Sequence, residues 1–189
     1  MERHDTKEVA VTWNIPINKQ LRPTTSRDRI VGEHEMHLPL PPHPGAFGVK
    51  RQHHTHEGVD LYAPQGTPVY AVEAGEIVAV FPFTGSRATP PSPWWRETEA
   101  ILVEGPSGVV VYGEITPVVG RRIGYKLERG EPIGYVVQVL TKDKGYPMSM
   151  LHLELHVPGT RYAYDWSDER PPSLLDPTPF LFAAYLEQM

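Results

Sequence analysis

The chain has 189 residues, 40% of them hydrophobic, which is enough for one good core and favours one domain with extensions. It contains no cysteine, which excludes disulfides, thiolate metal sites and cysteine nucleophiles. Its net charge is -5 with Lys and Arg scattered, so it carries no nucleic-acid footprint. No apolar run approaches the roughly 18 residues of a membrane span.

The first residues, Met1 to Lys7, are charged and lack the apolar stretch of a signal peptide, which gives a cytoplasmic expectation by default. Residues 1–45 read as an N-terminal extension with a possible strand at Val9–Trp13 and then a polar linker. The linker leads into Leu38-Pro39-Leu40-Pro41-Pro42-His43-Pro44-Gly45, which Pro keeps as an extended arm rather than a sheet interior. From Phe47 the texture changes to short Val- and Ile-rich segments. Strands are predicted at Val59–Tyr62, Pro68–Ala71, Glu76–Phe81, Ala100–Glu104, Val109–Ile115, Ile133–Leu140 and Met150–Val157. Gly- and Pro-containing turns separate them, a pattern of sandwich or barrel type. A Pro-rich loop over residues 82–98 carries Trp94 and Trp95, and the stretch after Asp176-Pro177 reads as one short closing helix.

Two segments carry chemistry. Met150 to Val157 alternates strictly, with Leu151, Leu153, Leu155 and Val157 on one face and Met150, His152, Glu154 and His156 on the other. The leucine face must enter the core, so the opposite face carries two imidazoles and a carboxylate on a rigid strand. The second segment is His53-His54-Thr55-His56-Glu57-Gly58-Val59-Asp60. A straight strand would separate His56 from Asp60 by about 13 Å, too far to share a metal ion. Gly58 permits a bend that would bring them together. Taken alone, each segment is equally compatible with a solvated His cluster.

Their order and the sequence between them resemble the lysostaphin/LytM-type zinc peptidases. His56-Glu57-Gly58-Val59-Asp60-Leu61-Tyr62-Ala63-Pro64-Gln65-Gly66-Thr67-Pro68-Val69-Tyr70-Ala71 follows that family's first signature. Val111-Tyr112-Gly113-Glu114-Ile115, Gly130-Glu131-Pro132-Ile133-Gly134, Met150-Leu151-His152-Leu153-Glu154 and Asp176-Pro177 with Phe180-Leu181 follow its later ones, in order. The resemblance implies an all-β, antiparallel sandwich- or barrel-like domain (a duplicated hybrid motif) over residues 46–182, with residues 183–189 ending the helix. It also implies Zn²⁺ held by His56, Asp60 and His152, with a fourth position left open.

The chain departs from the pattern at two points. The family's catalytic histidines fall on Glu114 and Met150. Methionine neither takes nor donates a proton, whereas Glu114 can act as a base. The chain resembles the non-catalytic, leukocyte chemotaxin-like relatives in this respect. The expectation is a zinc-binding domain with absent or altered catalysis that binds peptide, glycan, peptidoglycan or a protein partner in the groove. The alternative is an active endopeptidase cutting peptidoglycan cross-links with Glu114 as base. Glu154, Met150, Tyr112, Trp94 and Trp95 are expected to line or support that groove. His156 is expected at its rim, and the N-terminal arm could fold back over the open metal position. A biotinyl carrier is disfavoured, because Glu73-Ala74-Gly75 offers no lysine for attachment. Phosphotransfer would use His without Asp60.

Overall fold

The computed structural model describes residues 12–26, 34–141 and 149–189. In chain order the strands are β1 (Gln20–Thr24), β2 (Glu35–Pro39), β3 (Val59–Tyr62), β4 (Pro68–Tyr70) and β5 (Gly75–Thr84). They continue as β6 (Thr98–Gly105), β7 (Gly108–Pro117), β8 (Lys126–Leu127), β9 (Pro132–Val136), β10 (Met150–His156) and β11 (Leu174–Leu175). One helix, α1 (Thr178–Leu186), closes the chain.

Nine strands form one antiparallel sheet in the order β11-β10-β7-β6-β5-β8, with β3 on β10 and β9 joining β7 to β4. The expected all-β antiparallel fold with a short C-terminal helix is therefore present. Strand β10 is central: residues 150–153 pair with β3, while residues 152–156 pair with β7. Leu151, Leu153 and Leu155 enter the main core with Ile101, Val103, Val110, Tyr112 and Ile133, as the alternation requires. Val157 is the exception, since it lies past the strand end and is 36% exposed. The opposite face of β5, β6 and β7 buries a smaller cluster of Ala79, Ala100, Leu102, Val109 and Val111.

Several boundaries differ from the sequence expectation. Strand β9 stops at Val136 rather than running to Leu140. Beyond it the chain makes isolated bridges, Trp95 to Leu140 and Gln138 to Ser149, that draw it away from the ladder. The β5–β6 hairpin is longer at its loop end than predicted, because Thr84 pairs with Thr98.

The N-terminal region is more than a linker and an arm. Strands β1 and β2 form a parallel pair, and Trp13, Ile17, Leu21, Met36 and Leu38 are buried in the main core. Trp13 stacks on Phe180 of α1 with ring centroids 4.9 Å apart, so the two ends of the chain pack together. Of the strand expected at Val9–Trp13, residues 9–11 lie outside the described residues. Among the described residues no helix is long and apolar enough to cross a membrane.

Candidate metal centre

Backbone pairing brings the chemistry-bearing residues together. Asp60 on β3 stands directly opposite His152 on β10, so their side chains share a face. His56 precedes β3 in a turn pinned by Gly48 N–H to the His56 carbonyl and by His56 N–H to the Val49 carbonyl. Between them, Gly58 passes so close to β10 that a Cβ there would lie 2.5 Å from the Leu153 carbonyl oxygen. Only glycine fits, and the close pass delivers His56 to the position where Asp60 and His152 meet.

Three donor atoms converge. His56 Nε2 lies 3.0 Å from Asp60 Oδ1 and 3.3 Å from His152 Nδ1, and His152 Nδ1 lies 2.9 Å from Asp60 Oδ1. All three residues are buried. Ligands of a tetrahedral zinc with bonds of about 2.0–2.1 Å stand about 3.3 Å apart, so this triangle could hold such an ion with little movement. Two imidazoles and a carboxylate suit a borderline metal and leave a fourth position open.

The outer contacts fix which nitrogen of each ring faces the centre. His56 Nδ1–H donates to the Ala46 carbonyl at 2.9 Å, which leaves Nε2 as the lone-pair atom. His152 Nε2–H donates to Glu154 Oε1 at 2.9 Å, which turns Nδ1 inward. Glu154 Oε2 accepts from His156 Nε2 at 2.7 Å, and His156 Nδ1 meets Ser173 Oγ at 3.1 Å. A relay therefore runs from the buried centre to half-buried Ser173.

The expectation that His156 lies at the rim is corrected: it is fully buried. The segment leading to β11 covers this end of β10, where His156 pairs with Leu174.

Charge follows from these contacts. Burial pushes Asp60 upward, but the neighbouring His56 and Arg51 and the hydrogen bond from His152 outweigh it and hold the carboxyl well below its usual range. Burial likewise opposes a charge on His152, yet the bonds to Asp60 and Glu154 hold it well above its ordinary value. Glu154 is buried too, but the two imidazoles bring it down to about 2. Burial keeps His56 neutral, as a ligand must be.

Glu114 is set by a bulge. Strand β7 spends Tyr112 to Ile115 against Ile101 to Glu99 of β6, so one extra residue sits in β7. At the same point its other neighbour changes from β10, which pairs through Gly113, to β9, which pairs from Ile115. Glu114 takes φ +61°, the one positive value for a non-glycine among the described residues. Such a conformation costs of order 1–3 kcal/mol and persists where the surroundings impose it. Glu114 is 9% exposed as a residue, and its buried Oε2 has no hydrogen-bond partner. Burial and the nearby Asp60 charge push Glu114 up to about 8, with His152 and Arg51 pulling the other way.

Arg51, which the sequence reading missed, belongs to the same centre. Its Nη2 pairs with Asp60 Oδ2, and Nε and Nη2 donate to the Pro44 carbonyl at 3.0 and 2.7 Å. Its signal was modest: it is a cation beside a His-rich turn, five residues before His56. Met150 is half-buried opposite Tyr62. Phe83 lies over the centre, its ring 5.6 Å from that of His152.

Tyr112 does not line the groove. The alternation of β7 turns it into the main core, where its hydroxyl accepts the Val72 N–H at 2.8 Å. Trp94 is 65% exposed and Trp95 bridges to Leu140. No hydrogen bond or ring contact joins either one to His56, Asp60 or His152 among the described residues.

The sequence pattern of peptidase family M23 matches residues 54–164, which contain all three donors. No curated protein sequence matches the chain. Among solved structures, CbpA from L. salivarius REN is similar at 17% identity and a TM-score of 0.53, over 94% of this chain and 99% of that one. The catalytic domain of the antimicrobial peptidase lysostaphin from Staphylococcus simulans is similar at 20% identity and a TM-score of 0.47, over 73% and 87%. A zinc-containing peptidase from Vibrio cholerae is similar at 18% identity and a TM-score of 0.45. That match covers 86% of this chain but 41% of the Vibrio protein.

Proposed function

The chain belongs to peptidase family M23, and on that premise we propose that it is a zinc-dependent peptide hydrolase with altered proton chemistry. His56, Asp60 and His152 hold the metal, and Glu114 carries the proton. The observation that supports this most is the bulge at Glu114, where a buried carboxyl with an unpartnered oxygen lies within electrostatic reach of Asp60 and His152.

A zinc ion held by the trio would polarise a peptide carbonyl and lower the pKa of a water. The protein's own groups do the rest. His56 and His152 are locked in their tautomers by Ala46 and Glu154, and Asp60 is shared with Arg51. Glu114 takes the proton of the attacking water and returns it to the leaving amine. Phe83 and the buried walls exclude bulk water. The substrate is a peptide, by family that of peptidoglycan cross-links. Met150, at the place of the family's second imidazole, supports the rival reading of a binding module without turnover.

The test compares wild type with Glu114→Gln on cross-linked muropeptides and glycine-rich peptides, with zinc content measured in both. The expected result is cleavage by wild type, a loss of about 10²-fold or more in the variant, and equal zinc in each. One zinc per chain with no cleavage by wild type would contradict hydrolysis and leave the binding module.

A further inference from the structure

The polar face of β10 runs from a covered end to an open one. His156, Glu154 and His152 are 0, 3 and 7% exposed, whereas Met150 and Tyr62 opposite it are half-buried. Ligands must therefore reach the centre from the side of Met150 and Tyr62. That is also the side from which the family pattern would supply an imidazolium and where this chain supplies a thioether.

Arg51 stands at this end. Its side chain is 29% exposed, beside Asp60 and within the electrostatic reach of Tyr62 and Glu114. A guanidinium has five N–H donors. The Nε hydrogen and the two on Nη2 are directed to Pro44 and Asp60. No acceptor among the described residues takes the two on Nη1. Arginine also remains charged at any working pH, which a histidine does not.

We propose that Arg51 is the fixed cation of this centre, its Nη1 hydrogens binding the anionic oxygen that forms on the scissile carbonyl. This rests on the metal-centre reading given above. In hydrolysis, water adds to the carbonyl carbon and one of its protons passes through Glu114 to the leaving nitrogen as the C–N bond breaks. Arg51 keeps all its protons and contributes charge and hydrogen bonds alone. It fills the part that Met150 leaves empty, and it does so without titrating. A divalent cation in the trio and Arg51 beside it would both present positive charge to a tetrahedral oxyanion.

The probe is inorganic phosphate, a tetrahedral oxyanion, titrated calorimetrically into the zinc-loaded full chain, with zinc content measured alongside. Wild type is expected to bind one phosphate in a zinc-dependent manner. Arg51→Met is expected to weaken phosphate binding by at least about 10-fold at unchanged zinc content, and Arg51→Lys to lose less. Undiminished phosphate binding in Arg51→Met, or none in zinc-loaded wild type, overturns the assignment. Loss of zinc from both variants would make Arg51 a positioning residue behind Asp60 and overturn it as well. Failure of the metal reading shows separately, as absence of zinc from wild type, and takes this proposal with it.

Discussion

Glu114 concentrates the tension in this centre. A carboxyl raised to about 8 in the folded chain and near 4.5 when unfolded binds a proton more tightly in the folded state. Its contribution to stability is therefore full below about pH 4.5 and is lost as pH rises through 8. The neighbours that set the balance are Asp60, His152 and Arg51. In metal-free protein, Glu114→Gln is expected to become more stable relative to wild type as pH rises from 5 to 8, by a few kcal/mol at most. Urea unfolding at the two pH values in a chelator checks this; a pH-independent difference would contradict the buried placement. The sequence identified Glu114 as the residue to watch, but neither its bulge nor its positive φ was legible. Both depend on β7 changing partners from β10 to β9, and no local pattern encodes that switch. Arg51 was hidden for a similar reason: its role depends on the turn that folds it back over Asp60.

At the scale of the element, β10 was the most legible part of the chain. Strict alternation over eight residues gave its two faces, and the leucines lie in the core as the pattern required. What alternation could not show was how far the polar face is covered. His156 read as a rim residue because its cover comes from the segment leading to β11, where Ser173 lies seventeen residues further on, while its other partner, Glu154, stands two residues before it on β10 itself. That cover turns a surface histidine into the far end of a relay. His156→Ala leaves Glu154 without one of its two imidazole partners, so the orientation of His152 weakens. Metal affinity is expected to fall about 10- to 100-fold, read by chelator competition. Unchanged affinity would mean that Glu154 holds His152 unaided. Leu153→Ala, on the other face of the same strand, is expected to cost about 2–5 kcal/mol in denaturant unfolding.

For the whole molecule, order and spacing of the signature segments were enough to give the family and the antiparallel fold. The N-terminal region was misread because Pro and polar residues dominate it, while its few apolar residues are widely spaced. Trp13, Ile17 and Leu21 nonetheless fill the core beside α1. Deleting residues 1–33 is expected to lower the melting temperature by many degrees, since three large buried side chains leave together; an unchanged melt would show that this layer is dispensable. The account as a whole depends on one metal at the meeting point of β3, β10 and the turn before β3. Its most direct test is elemental mass spectrometry on dialysed wild type, Glu114→Gln and Asp60→Ala. One zinc per chain in the first two and almost none in the third is the predicted result. No metal in the wild type, or metal retained by Asp60→Ala, would contradict it.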